Sequence, residues 1–358
     1  MADIERLANA QPAHDCNILD LSTVTPEPIK WLWPGRIPLG MFVLMAGQPG
    51  VGKTTISHSI AAILTTGGKW PFSEHHAEPG NVIILTAEDD TKYTLVPRLM
   101  AAGADLRRIK QIQSVTKLQG EQDVDVPLLL SEDMHQLNGL LTEIPETRLV
   151  IFDPLSAYLG VKDSHRDADV RQVLGPLTDL ASKNGVTILG ITHLSKNASN
   201  SAMARIMGST GIIAAARAAF LVTEKDDDLM FLPVKSNVAP KMGGLTYQIV
   251  SKTIECGIET SCIEWTGQTD IEADEALAAL AARTSAPKKN DAIEFLTDAL
   301  KDGPVSVDDI KSTSEKHGIT WSTVRRAYDY LDIEAIKEKK FQGKWLWHTP
   351  KQAVKAAR

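Results

Sequence analysis

Gly47-Gln48-Pro49-Gly50-Val51-Gly52-Lys53-Thr54 is a complete match to the pattern G-x-x-x-x-G-K-[ST], a loop whose backbone N–H groups cradle phosphates. The flanks fit that reading. Met41-Phe42-Val43-Leu44-Met45-Ala46 is an apolar run that predicts a buried strand, and residues 55–66 predict a helix beginning with Thr55. Glycine lets the chain close around an anion, and the helix start aims N–H groups at it. In such a loop Lys53 reaches the outer phosphates of a nucleotide such as ATP, and the Thr54 hydroxyl holds Mg²⁺. A Gly-rich turn that binds nothing would require neither the lysine nor the hydroxyl.

Outward from the loop, apolar runs recur. Asn81-Val82-Ile83-Ile84-Leu85-Thr86, Leu149-Val150-Ile151-Phe152, Val186-Thr187-Ile188-Leu189-Gly190-Ile191, Ala219-Phe220-Leu221-Val222 and Met230-Phe231-Leu232-Pro233-Val234 all read as strands. Consecutive apolar positions suit strands covered on both faces of a mostly parallel sheet. Helix-like stretches at 94–102, 131–142 and 168–183 alternate with them, which predicts an α/β doubly wound core. Gly243-Gly244 and the strand-like pieces after it read as an antiparallel ending. Trp31 and Trp33 precede the first strand, placed either to stack on a base or to pin the lead-in segment onto the core.

In open α/β sheets, ligands gather beyond the carboxyl ends of the strands. Asp153, at the tip of the third run, is placed to support Mg²⁺, or else to cap the turn before Pro154. Glu88 heads an acidic triplet with Asp89 and Asp90 after the second run. It is placed as base for an attacking water, and the triplet also fits a helix N-terminal charge cluster. His193 follows the fourth run, placed to sense a γ-phosphate or to serve as a structural histidine. Arg217 and Lys235 lie on late strands, where either could reach a neighbouring subunit's γ-phosphate or form an ordinary surface contact. The polar stretch of residues 195–211, with Arg205, and the weaker one of residues 160–169, with Lys162, His165 and Arg166, are possible DNA contacts or plain surface loops.

Composition narrows the class. The chain has 358 residues, 43% of them hydrophobic, with no apolar run long enough to cross a membrane. The start of the sequence lacks the pattern of a signal peptide. Cys16, Cys256 and Cys262 are scattered and fit neither a disulfide framework nor a zinc site, so a cytoplasmic location is expected. Net charge is −7, yet residues 286–358 carry 14 Lys and Arg against 11 Asp and Glu, a net of +3, leaving −10 for the rest.

That tail has a pattern of its own. Residues 291–300, 307–317 and 320–331 read as three helices, and two strand-like pieces flank Gln342-Gly343, a hairpin tip. Three helices and a hairpin describe a winged helix-turn-helix, with Arg325 and Arg326 on the third helix. Such a module serves either DNA or a protein partner. The polar stretch Thr284-Ser285-Ala286-Pro287-Lys288-Lys289-Asn290 marks the boundary. The expected organisation is a lead-in over 1–30, an ATPase domain over 31–270, a helical linker over 271–290, a winged-helix domain over 291–350 and a tail over 351–358.

Trp33-Pro34-Gly35-Arg36-Ile37-Pro38, Gly47 to Thr55, Thr86-Ala87-Glu88-Asp89, Ile151-Phe152-Asp153-Pro154, Thr192-His193 and Val234-Lys235-Ser236-Asn237 together resemble the RecA-like ATPases of the RepA type. These are plasmid, phage and prophage relatives of the hexameric replicative helicases. The tail resembles the winged-helix module appended to many of them. The resemblance implies a RecA-like P-loop core binding ATP and Mg²⁺, with Glu88 as catalytic base, Asp153 as acidic metal-site residue and His193 as γ-phosphate sensor. Lys235 resembles the lysine that reaches into the next subunit's site. Asn237 stands where an arginine often follows, which favours Arg217 as the trans-acting arginine. The function so implied is a ring-forming, ATP-driven motor on single-stranded DNA, a hexamer of the replicative-helicase kind working with replication proteins and away from membranes. The alternatives are an ATPase that assembles other proteins on DNA without unwinding it, and a DNA-binding regulator.

Overall fold

The computed structural model describes residues 19–120, 122–160, 167–194, 201–203, 210–225, 228–301, 303–337 and 345–349. Lys162, His165, Arg166, Arg205, most of the polar stretch after His193 and the hairpin tip at Gln342-Gly343 lie outside them. Met1–Lys30 and Trp31–Arg358 form separate compact units. In the first, the Asp20 carboxylate accepts the Ser22 N–H at 2.9 Å and caps the 3-10 turn Leu21–Thr23.

The second unit begins with the short hairpin β1 (Trp31–Trp33) and β2 (Ile37–Pro38). β3 (Phe42–Gly47), α1 (Lys53–Thr66), β4 (Asn81–Thr86), α2 (Val96–Ala101) and β5 (Ile109–Gln111) follow. A second hairpin, β6 (Val115–Gln119) and β7 (Gln122–Val126), precedes α3 (Met134–Glu143), β8 (Thr147–Asp153), α4 (Asp167–Asn184) and β9 (Thr187–His193). Then come α5 (Thr210–Ala215), β10 (Ala218–Lys225), β11 (Asp228–Ser236), β12 (Gly244–Thr253) and β13 (Glu259–Thr269).

Nine of these strands form one sheet in the order β13-β12-β11-β10-β3-β9-β8-β4-β5. β10, β3, β9, β8, β4 and β5 run parallel, whereas β11, β12 and β13 return antiparallel. The run at Met230 to Val234 therefore pairs as a hairpin with β10, because only two residues separate the strands and a parallel crossover needs a dozen or more.

Alternation explains why the strands read as unbroken apolar runs. Phe42, Leu44, Ile83, Leu85, Val150, Phe152 and Ile188 point to one face, where Val170, Leu174 and Leu177 of α4 cover them. Val43, Met45, Val82, Ile84, Leu149, Ile151 and Leu189 point to the other, under Ile56, Ile60 and Leu64 of α1. Trp33 belongs to this second core. It is 1% exposed and stacks on Trp70 at 4.9 Å and on Phe231 at 5.9 Å. It pins the β1–β2 hairpin onto this core, and base stacking is not available to a ring so enclosed.

α6 (Ala273–Leu300) is continuous. The stretch expected as a linker, 284–290, is helical. Proline removes one backbone donor and tends to kink a helix, but the turns on either side are held by packing. Ala273, Ala276, Leu277 and Leu280 pack on the main sheet, while Ala292, Leu296 and Leu300 enter a separate core. That core is completed by α7 (Val307–Lys316), α8 (Trp321–Tyr330) and a three-stranded sheet ordered β14 (Val305–Ser306), β16 (Trp345–His348), β15 (Glu334–Lys337). Trp347 anchors it, stacked on Trp321 at 5.4 Å and against Tyr328 at 4.4 Å.

Candidate nucleotide site

The register of the sheet assembles the site. Gly47 pairs with His193, and Thr86 pairs with Asp153, so the ends of β3, β9, β4 and β8 share one edge. Beyond that edge lies a cleft of about 320 Å³ lined by Pro49, Gly50, Gly52, Lys53, Thr54, Thr55, Glu88, Asp153 and His193. Gly47 cannot be replaced without moving backbone, because a Cβ there would sit 2.2 Å from the Val222 carbonyl oxygen. Gly52 has φ +84°, a left-handed conformation that favours glycine, and immediately precedes α1.

The Lys53 ammonium donates to the Gln48 carbonyl at 2.8 Å and lies 3.4 Å from His193 Nδ1. The lysine is buried, and burial lowers its pKa against the opposing pull of Asp153 and Glu88. Thr54 Oγ1 donates to Asp153 Oδ2 at 2.5 Å. Asp153 is 4% exposed, and burial pushes its pKa up to about 6; Thr54's hydrogen bond and Lys53 oppose the rise, while Glu88 and Asp89 add to it. Hydroxyl and carboxylate are the hard oxygen donors that Mg²⁺ takes, so this pair fits the ion. Among the described residues no group of three or more His, Cys, Asp or Glu forms a metal cluster.

The acidic triplet divides its labour. Asp90 accepts the Lys92 and Tyr93 N–H groups at 2.8 and 2.9 Å and caps the helical turn leading into α2. Asp89 pairs with Arg98 at 2.9 Å. Glu88 faces the cleft, with Oε1 3.6 Å from His193 Nε2. Thr86 Oγ1 accepts the Asp89 N–H at 3.1 Å and steadies the turn that presents Glu88. Of the three, Asp90 is the one that caps a helix start.

Arg217 and Lys235 are elsewhere. Ala218 and Ala219 pair with Val43 and Leu44, at the amino end of β3. Lys235 pairs with Ala219, and exposed Arg217 directly precedes β10. Both therefore sit roughly 10 Å or more back along the strands from Gly47, at 3.3 Å per residue. Neither reaches the phosphate loop of its own chain. Lys235 Nζ donates to the Ile213 and Ala214 carbonyls at 2.8 and 3.3 Å, a cation closing the last turn of α5. Burial lowers its pKa, and the nearby Arg217 charge adds to the effect.

Three lining residues escaped sequence reasoning. Ile249 and Ser261 come from the antiparallel strands β12 and β13, and Arg98 from α2. Tyr247, also on β12, donates its hydroxyl to the Val51 carbonyl and so props the loop. Arg98 carried a weak signal, a cation on the helix after the acidic triplet. The β12 and β13 residues carried none, because their reach depends on how the sheet edge pairs.

A phosphate loop leading into a helix, with a carboxylate tipping a neighbouring parallel strand, defines a P-loop nucleoside triphosphatase. The AAA domain family matches residues 9–199, just over half of the chain, and the chain belongs to that family of ATPases. No curated protein matches it. Among the described residues no helix is long and apolar enough to cross a membrane.

Proposed function

We propose that the protein is a ring-forming ATPase that moves on single-stranded DNA, with each site completed by the adjacent subunit. The observation that carries this reading is the separation of charges along the sheet. Lys53, Thr54, Glu88, Asp153 and His193 meet at one end, whereas Arg217 stands exposed at the other. A cation so placed serves hydrolysis only in the site of another copy, and an arginine supplied in trans is worth roughly 10³–10⁵ in rate. The closed symmetry of a ring, here a hexamer, gives every copy the same neighbour.

In this reading Glu88 takes a proton from the attacking water as its oxygen bonds to the γ-phosphorus and the bond to the bridging oxygen breaks. Lys53 neutralises charge on the outer phosphates, and His193, touching both Lys53 and Glu88, registers whether the γ-phosphate is present. Thr54, with Asp153 behind it, would hold Mg²⁺, whose charge would offset that of the phosphates. The tail acts as a winged-helix module. Arg325 and Arg326 are exposed on α8, and the Arg325 guanidinium lies 5.5 Å from the Tyr328 ring centre. This arrangement supports a contact with DNA.

The test is ATPase activity and strand displacement from a forked duplex, with and without single-stranded DNA. Wild type is expected to hydrolyse ATP faster with DNA and to displace the strand, and Lys53→Ala to do neither. Full ATPase activity in Lys53→Ala would remove the site assignment. ATPase activity without displacement would favour an assembly ATPase over a helicase.

A further inference from the structure

A second cavity, of about 450 Å³, lies under the β1–β2 hairpin and shares no lining residue with the nucleotide cleft. Its apolar walls include Trp33, Pro34, Pro71, Phe72 and Met242, and Arg36 also lines it. Arg36 is 6% exposed, yet its Nη1 is buried without a hydrogen-bond partner. The guanidinium packs 5.6 Å from the centre of the Trp33 ring. Burial alone lowers its pKa, to about 10, so it stays charged at neutral pH. Glu74, the one acid in the lining, points its carboxylate to Lys69 at 3.1 Å from both oxygens.

Among the described residues this buried guanidinium has no counter-charge, an arrangement that destabilises a fold, and Arg36 lines a space large enough for an organic molecule. We propose that this cavity is a binding site for a small organic acid, its carboxylate on Arg36 and its aromatic body against Pro71, Phe72 and Met242. The guanidinium fork matches a carboxylate with two parallel hydrogen bonds. The apolar walls suit a hydrocarbon body and offer little to a multiply charged phosphate, whose hydration they would strip.

Calorimetric titration of the full chain with benzoate, indole-3-acetate and inorganic phosphate tests this, with thermal melting as a second readout. The two aromatic acids are expected to bind and raise Tm, and phosphate to do neither. Arg36→Met should weaken acid binding by at least about tenfold, the loss of one charge-assisted contact, while leaving ATPase activity unchanged. Phe72→Ala, at an exposed wall position, should weaken binding about threefold without touching the charge, and reports even if Arg36→Met does not fold. Absence of acid binding, equal binding of phosphate, or unchanged affinity in either folded variant would overturn the proposal.

Discussion

The two ends of the parallel sheet differ in what they are built to hold. At the carboxyl end, Lys53, Thr54, Glu88, Asp153 and His193 are linked by contacts of 2.5 to 3.6 Å. At the amino end, Arg217 is exposed, and Lys235 is spent on the carbonyls of α5. In the proposed reading the first end is the hydrolysis site and the second is a surface that supplies charge to another copy of the chain. The contrast also ranks the two trans-acting possibilities, because Lys235 would have to leave two hydrogen bonds to reach outward.

Variants along this axis sharpen the contrast. Arg217→Ala should lower ATPase activity about 10³-fold while leaving ATP affinity within about threefold; a loss of affinity with unchanged turnover would place Arg217 outside the hydrolysis step. Glu88→Gln should cost about 10²-fold in turnover, the scale of general-base catalysis. Nucleotide binding measured by fluorescence should survive it. His193→Ala should lower turnover only about tenfold, the loss of one hydrogen bond of about 1.4 kcal/mol. Asp153→Asn should act on stability as well. The carboxyl has a pKa of about 6 in the fold against 3.8 as its ordinary value, so the ionised form is disfavoured by folding. Wild-type stability therefore rises as pH falls from above 6 to below 4, and the asparagine form avoids the penalty at high pH. Without nucleotide, Asp153→Asn should be more stable at pH 8 by up to about 3 kcal/mol and lose that advantage near pH 4. Melting curves across pH check this.

How much of this was legible beforehand follows from what each feature depends on. The phosphate loop, Asp153 and His193 are local signals, a motif and two strand tips. The parallel core could be read because two-sided burial leaves unbroken apolar runs such as Val82 to Leu85. The acidic triplet could not be resolved, because Glu88, Asp89 and Asp90 differ only in which partner the turn brings to each. The antiparallel turn of β11 is signalled only by its short gap from β10, whereas the lining role of Ile249 and Ser261 depends on long-range pairing that no local pattern encodes. The polar, proline-containing stretch of residues 284–290 reads as a boundary, and the helix that runs through it as α6 joins the two cores at its ends.

Mixing two inactive variants tests the central claim that the two ends of the sheet meet between subunits. Lys53→Ala keeps the exposed arginine and lacks a working loop, whereas Arg217→Ala keeps the loop and lacks the arginine. Mixed in equal amounts with ATP and single-stranded DNA, they should recover about a quarter of the wild-type ATPase rate, the share of interfaces pairing an intact loop with an intact arginine in a randomly mixed ring. Mass measurement should show the mixed ring. A mixture that assembles yet stays as inactive as either variant alone, or a wild-type chain that remains a monomer under these conditions, would contradict the account.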